Sequence, residues 1–222
     1  DKTLKIFPKI FQILRIGLNQ VAVNFPPLTA RWIYENYLGL DGNREEYKIY
    51  DSSAGWGGRM LGALCSKKKI HYVATDVNKS NVGCYESLGS FYNKQANGKN
   101  TFDIYYDGSE VIHHNKKFMK YKDDIDLVFT SPPYFNKELY STDEEQSCIK
   151  YQDYQTWLKN FLLPTFETYY KVLRTNKYCV INISDIKNKK KEYPLEQDTI
   201  RIAERVGFHY EGKIGMCMTR MV

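Results

Sequence analysis

The sequence predicts an α/β fold in which an open, mostly parallel sheet carries helices on both faces. Short apolar runs that are typical of buried strands, among them Tyr47–Tyr50, Ile70–Thr75 and Ile125–Phe129, alternate with segments of helical periodicity. Polar residues follow each of these runs directly. Because parallel strands end at the same edge of a sheet, these polar residues are expected to meet there and form a ligand site.

Length and composition indicate one folded domain. The chain has 222 residues, 42% of them hydrophobic, which suffices for one core and argues against global disorder. Its net charge of +6 permits a polyanionic partner without requiring one. The five cysteines show no C-x-x-C spacing, so we expect neither a disulfide framework nor a zinc site, and no metal elsewhere. With no long apolar run or signal-peptide pattern, the sequence predicts a cytoplasmic protein.

The first polar strand end is a glycine-rich turn that runs from Asp51 to Arg59 with the sequence DSSAGWGGR. Its glycines permit a tight turn and a close approach by a ligand, and the helix that follows offers unpaired N–H groups. The turn departs from G-x-G-x-x-G and lacks a Walker lysine, which disfavours dinucleotide and nucleoside triphosphate sites. Such a turn alone is weak evidence and is also compatible with a purely structural role.

Two more aspartates follow predicted strands. Asp76 comes after Ile70–Thr75, about 20 positions beyond the glycine turn, where a carboxylate can meet ribose hydroxyls. Asp107 follows the run Phe102–Tyr106. It is either a ligand contact or an ordinary turn aspartate before Gly108.

The fourth strand end carries the sequence Ser131-Pro132-Pro133-Tyr134. Two prolines fix φ twice and remove two backbone donors, so the chain leaves the sheet as a stiff elbow with carbonyls that can accept hydrogen bonds. A hydroxyl and an aromatic ring beside them suit a planar group with an exocyclic amine, such as a base taken out of its stack. The alternative is a proline-rich turn with a buried tyrosine.

Combined with the glycine turn and Asp76, this tetrapeptide resembles the target-base motif of S-adenosylmethionine-dependent amino methyltransferases of DNA. The resemblance implies a Rossmann-like class I methyltransferase fold. It assigns catalysis to Ser131, Pro132, Pro133 and Tyr134. It assigns cofactor binding to Asn24, Phe25, Pro26, Asp51, Ser53, Ala54, Gly55, Gly57, Asp76, Val77, Asp107 and Gly108.

Specific roles also follow from the resemblance. The elbow before the first helix is expected to hold the methionine end of S-adenosylmethionine, and Asp51 to accept from its ammonium group. Asp76 is expected to bind the ribose, Val77 to lie against the adenine ring and Asp107 to accept from the adenine amine.

The expected organisation is a single methyltransferase domain over residues 1–222. It comprises an N-terminal extension (1–23), a cofactor-binding half (24–120) and a catalytic half (121–222). No separate target-recognition domain is evident, which puts strong sequence specificity in doubt or assigns it to loops or a lost terminus. A homodimer and a separate specificity partner are the protein partners that stay open. The basic run Lys187–Lys191 is either a solvated loop or a DNA backbone contact.

The predicted function is methyl transfer from S-adenosylmethionine to the exocyclic amine of a flipped base in double-stranded DNA, with restriction–modification among the biological roles that remain open. Serine at the first motif position is commoner in cytosine-N4 enzymes, so cytosine N4 is favoured over adenine N6. The alternatives are a methyltransferase acting on RNA or a protein amide, and a non-catalytic nucleic-acid-binding subunit that retains the fold.

Overall fold

A five-stranded parallel sheet forms the centre of the molecule. The computed structural model describes residues 24–40, 42, 44–95, 99–135, 146–188 and 191–216. The strands are β1 (Tyr47–Asp51), β2 (Ile70–Thr75), β3 (Thr101–Tyr105), β4 (Ile125–Thr130) and β5 (Leu173–Ile181). They lie in the order β3-β2-β1-β4-β5, so the direction of winding changes between β1 and β4. In open α/β sheets such a switch point is where ligands bind, at the carboxyl ends of the strands.

Helices follow the strands on both faces. They are α1 (Pro27–Tyr37), α2 (Gly58–Leu64), α3 (Val82–Gln95), α4 (Ser147–Lys150), α5 (Tyr154–Trp157), α6 (Leu163–Val172) and α7 (Leu195–Val206). A π-helical turn, Leu158–Leu162, joins α5 to α6. The apolar pattern predicts a single helix that is capped by Asp153 and runs to Leu173. The π turn interrupts this helix just before Pro164, whose ring is tolerated in the first turn of α6.

Neighbouring residues of a strand bury into different cores because side chains alternate across a strand. Ile49 packs with α1 and α2, whereas Tyr50 packs with α5, the π turn and α6. The same alternation separates Leu127 from Val128 on β4. Two cores on opposite faces of one parallel sheet confirm the doubly wound, Rossmann-like fold class.

The C-terminal part differs from expectation in one element. The segment from Phe208 to Met218 is predicted as a further strand or hairpin, whereas the chain is irregular over 208–216. Two short strands, β6 (Ile186–Asn188) and β7 (Lys191–Tyr193), pair antiparallel, and the two alternatives for the basic run Lys187–Lys191 remain predictions. The sequence has no clear period over 135–150 and predicts a long loop there. Most of that loop, the N-terminal extension and residues 217–222 lie outside the described residues.

Candidate functional site

The four predicted polar strand ends occupy one edge of the sheet in a fixed order. Asp107 follows β3, Asp76 follows β2, the glycine turn follows β1, and Ser131 follows β4. With neighbouring strands about 4.8 Å apart, the line from the Asp107 end to the Ser131 end spans about 14 Å. The edge therefore presents an elongated row of polar groups.

Asp51, the last residue of β1, is the centre of a buried polar network. Its Oδ2 accepts from Arg59 Nε at 2.7 Å and from the Tyr72 hydroxyl, and its Oδ1 accepts from Thr130 Oγ1 at 2.8 Å and Ser53 N at 3.1 Å. Four donors use the roughly four acceptor sites of a carboxylate, and Asp51 is fully buried. The geometry therefore does not support the predicted contact between Asp51 and a ligand ammonium group.

Arg59, which sequence reasoning did not select, supplies the positive charge of this network. Burial opposes ionisation of its guanidinium, yet the adjacent Asp51 carboxylate raises the pKa of Arg59 above its ordinary value. The Arg59 guanidinium also lies 5.5 Å from the centroid of the Phe25 ring, a cation–π distance. Arg59 thus connects the N-terminal elbow, through its contact with Phe25, to the end of β1, through its ion pair with Asp51.

The glycine turn is fixed by hydrogen bonds on both sides of Gly55. Gly55 has a φ of +57°, which favours glycine. Its N–H donates to Asp76 Oδ2 at 2.7 Å, and its carbonyl accepts from Asn81 Nδ2 at 3.1 Å and from the Tyr85 hydroxyl. Asn81 and Tyr85, in the helical segment after β2, therefore hold the glycine turn in one conformation.

Asp76 retains acceptor capacity on both carboxylate oxygens. Oδ2 takes the N–H of Gly55, and Oδ1 takes the N–H of Asn78 at 2.9 Å. A carboxylate oxygen offers about two acceptor sites, so one remains on each. Burial raises the pKa of Asp76, an effect that the backbone donors of Asn78 and Gly55 partly offset.

The N-terminal elbow lies against the start of α2. Asn24 Oδ1 accepts from the N–H of Gly58 at 3.0 Å. A Cβ atom at position 58 would stand 2.1 Å from the Phe25 carbonyl oxygen, so only glycine permits this approach. The elbow and the glycine turn consequently form one wall.

The Ser131–Tyr134 segment is fixed from the next strand by Asn182. Asn182 Nδ2 donates to Ser131 Oγ at 3.0 Å and to the Tyr134 hydroxyl oxygen at 3.1 Å. Both hydroxyls also lie within donating distance of the Asn182 backbone carbonyl, at 3.4 and 3.2 Å. The segment ends at Phe135, whose φ of +45° is unusual for a bulky residue and whose buried ring packs against Trp157.

One large open cavity of about 2810 Å³ runs along this edge. It exceeds the roughly 300–1,000 Å³ of a small-ligand pocket, so it offers room for more than one small group. The predicted site residues that line it are Asn24, Phe25, Pro26, Ser53, Ala54, Gly55, Asp76, Val77, Asp107, Gly108, Ser131, Pro133 and Tyr134. Asp51, Gly57 and Pro132 do not line it. Gly57 instead precedes α2 as its N-cap residue, with a φ of +79°, and Pro132 is buried.

The sequence predicts the fifth strand over Tyr178–Ile183, and this boundary places Asn182 inside the strand, so Asn182 is not selected as a site residue. The strand ends at Ile181, which makes Asn182 the first residue beyond it. The rule that selected Asp51, Asp76 and Ser131, a polar residue directly after a buried strand, would have selected Asn182 with the correct boundary. Within the described residues, no group of three or more His, Cys, Asp or Glu side chains is arranged to hold a metal ion.

Residues 125–219, which contain β4, β5 and the Ser131–Tyr134 segment, match the family model of the N6/N4 DNA methylases. The resemblance to DNA amino methyltransferases is confirmed for this segment. A curated protein of the same kind, the type II methyltransferase M.MjaVI of Methanocaldococcus jannaschii, is 33% identical over 90 residues. Those residues are 40% of this chain and 43% of that relative, so the match spans less than half of either protein.

Among solved structures, a SAM-dependent methyltransferase from Agrobacterium tumefaciens is similar in fold, with a TM-score of 0.51. The match covers 82% of this chain and 50% of the other, at 11% identity. At that identity it supports the fold alone. The DNA methylase match is confined to residues 125–219. In the part of the chain that the structure describes, no helix has the length and apolar character needed to cross a membrane.

Proposed function

We propose that this protein transfers a methyl group from S-adenosylmethionine to the exocyclic amine of a base flipped out of double-stranded DNA, with cytosine N4 favoured over adenine N6. The observation that carries the proposal is the position of Ser131 and Tyr134 in the same cavity as Gly55 and Asp76. The DNA methylase match of residues 125–219 supports DNA as the substrate class. The chain's net charge of +6 is compatible with a phosphate backbone.

The residues at the ends of β1, β2 and β3 fit S-adenosylmethionine. The remaining acceptor sites of Asp76 suit a pair of ribose hydroxyls. Val77 and Asp107 line the cavity beyond it, where an apolar surface and an acceptor suit an adenine ring and its amine. The close contact at Gly58 brings the elbow residues Asn24 and Phe25 to the opposite end, beside the glycine turn.

Asp51 has a different role from the one that the sequence suggested. Its four hydrogen bonds join Ser53 of the glycine turn, Arg59 of α2, Tyr72 of β2 and Thr130 of β4. We assign it to holding the strand ends in register around the cofactor, without direct contact. Gly57 likewise shapes the turn from behind the cavity wall.

When bound, S-adenosylmethionine supplies an electrophilic methyl group. Tyr134 stacks on the flipped base, and Ser131 accepts a hydrogen bond from its amine. Pro132, which is buried and does not line the cavity, keeps the elbow stiff. Held at the ends of β1, β2 and β3, the cofactor would give its methyl group to the amine nitrogen and keep the electrons of the broken bond on sulfur, and the surplus amine proton would leave to solvent. The Ser131 oxygen stabilises the positive charge that grows on the nitrogen, so positioning and electrostatics account for the rate.

The test is incubation of the protein with labelled S-adenosylmethionine and unmethylated duplex DNA, followed by nucleoside mass spectrometry. We expect N4-methylcytosine, formed about fivefold to 150-fold more slowly by the Tyr134→Ala variant. Labelled N6-methyladenine would support the class and overturn the preference for cytosine. Cofactor binding by calorimetry with label appearing only in RNA or protein would overturn the DNA assignment.

A further inference from the structure

We infer that Asn182 is the positioning residue of the methyl-transfer site, because its single amide group holds the two side chains that contact the base. The inference rests on the proposed function for its catalytic meaning. Its structural basis is independent of that function, since Ser131 and Tyr134 belong to the elbow after β4, whereas Asn182 follows β5. Asn182 therefore connects the end of β5 with Ser131, 51 residues earlier in the sequence, and with Tyr134, 48 residues earlier.

The hydrogen-bond geometry makes Asn182 a two-pronged donor. An amide NH₂ has two hydrogens, and Asn182 Nδ2 lies 3.0 Å from Ser131 Oγ and 3.1 Å from the Tyr134 hydroxyl oxygen. Each hydrogen thus has one acceptor. The distance between the serine hydroxyl and the tyrosine ring is fixed by one rigid planar group.

The backbone carbonyl of Asn182 completes the arrangement from the other side. It accepts from the Tyr134 hydroxyl at 3.2 Å and from the Ser131 hydroxyl at 3.4 Å. The hydroxyl proton of Ser131 is then directed towards the Asn182 carbonyl, and the Ser131 oxygen accepts one hydrogen bond, from Asn182 Nδ2. Its second lone pair has no partner among the described residues, and Ser131 lines the cavity. The serine consequently presents an acceptor to the cavity, which is what an amine substrate requires.

The backbone of Asn182 is itself fixed by the sheet. Its N–H donates to the carbonyl of Thr130 at 2.9 Å, continuing the pairing of β4 with β5 one residue beyond the strand. Thr130 directly precedes Ser131 in the chain. The sheet therefore fixes the backbone of Asn182, and the side-chain amide of Asn182 fixes the elbow.

The amide side chain of Asn182 also excludes general-base catalysis by this residue. Neither atom of the Asn182 side-chain amide titrates in the physiological range, so Ser131 is not linked through it to a base that could remove a proton. The role of Asn182 is to orient, and orientation of reacting groups alone has large effects on rate.

Two substitutions of Asn182 separate this role from a general contribution to folding. Asn182→Leu keeps the approximate size and removes both amide hydrogens, and we expect turnover to fall about ten- to a hundredfold. Asn182→Asp keeps the shape. Its carboxylate accepts from both hydroxyls, so the bridge persists with reversed polarity and turnover at pH 8 stays within about fivefold of the parent.

Asn182→Asp also gains a pH dependence that the parent lacks. As pH falls through the pKa of the new carboxyl group, protonation removes an acceptor from the bridge, and turnover declines. Asn160, which is exposed in the π-helical turn, provides the matched controls Asn160→Leu and Asn160→Asp. Cofactor affinity by calorimetry should change less than twofold in all four variants.

A second measurement does not depend on methyl transfer. Site-specific 3-fluorotyrosine at position 134 reports the ring's surroundings by fluorine NMR. Asn182→Leu should shift and broaden that signal, while both Asn160 variants leave it unchanged. If this holds but the parent methylates no DNA, the proposed function fails and the positioning inference stands. Parent-like turnover and an unchanged fluorine signal in Asn182→Leu would overturn the inference.

Discussion

Thr130, the last residue of β4, donates a hydrogen bond to Asp51, the last residue of β1, at 2.8 Å. Both side chains are fully buried. The bond joins the strand that leads into the glycine turn to the strand that leads into Ser131, across the switch point of the sheet. It therefore fixes the distance between the two halves of the proposed site.

Removing the Asp51 charge should destabilise the whole fold. Asp51→Asn leaves the Arg59 guanidinium buried without its counter-charge and places an amide N–H group among donors. We expect the free energy of unfolding to fall by about 3–5 kcal/mol, the usual cost of breaking a buried ion pair by removing one partner. Urea denaturation measures it.

Asp124→Asn is the matched control, because Asp124 is paired with Lys48 and about one third of its side chain is exposed. Loss of this ion pair should lower the free energy of unfolding by about 1 kcal/mol or less. Equal effects of the two substitutions would contradict the assignment of Asp51 as the buried centre of the site.

Asp76→Asn should weaken cofactor binding about ten- to a hundredfold with little loss of stability. Charge-assisted hydrogen bonds to a carboxylate contribute about 1.5–3 kcal/mol, and a neutral amide accepts with only one of its two terminal atoms. Calorimetry with S-adenosylmethionine measures the change. Asp103→Asn, a substitution within β3, should leave affinity unchanged, so a similar loss there would argue against a specific role for Asp76.

The pH dependence of cofactor binding should reflect the raised pKa of Asp76. Burial favours the protonated form, so the carboxylate is lost at a higher pH than that of an ordinary aspartate. Affinity is expected to fall as pH decreases through this value, and Asp76→Asn should lack that decline. Folding stability responds in the opposite sense, since the folded protein takes up the proton more readily than the unfolded chain. A parallel decline in the Asn variant would exclude Asp76 as the titrating group.

Gly58→Ala should displace the N-terminal elbow and reduce cofactor affinity. The new methyl group would lie 2.1 Å from the Phe25 carbonyl oxygen and 2.4 Å from Asn24 Oδ1, so the elbow has to move. Gly83→Ala is the control, because a Cβ atom there has no neighbour within 4 Å. In α3 it should stabilise the protein by about 0.5–1 kcal/mol. Wild-type affinity in Gly58→Ala would show that the elbow is not part of the cofactor site.

Tyr134→Ala and Tyr134→Phe should separate stacking from hydrogen bonding. Alanine removes a ring whose stacking on a base is worth about 1–3 kcal/mol, and phenylalanine removes only the hydroxyl held by Asn182. We expect methyl transfer to fall about fivefold to 150-fold with alanine and less with phenylalanine, measured by single-turnover kinetics. Equal rates for the alanine variant and the parent would contradict a base-stacking role.

The sequence determined four strands of the central sheet and the polar groups that follow them. Ile70–Thr75 was predicted at its observed boundaries because a short buried run is a local signal. The positions of Asp76 and Ser131 at one edge followed from the rule that parallel strands end together. Local pattern and a general topological rule were sufficient for these features.

The tertiary structure decided what each polar group contacts. No local signal indicates that Asp51 has four donors drawn from the glycine turn, β2, β4 and α2, or that Asn182 bridges Ser131 and Tyr134. Such partners are distant in sequence and come together only when the sheet is assembled. A carboxylate at a strand end is open to a ligand only if the folded chain leaves its lone pairs unused, and here that condition separates Asp76 from Asp51.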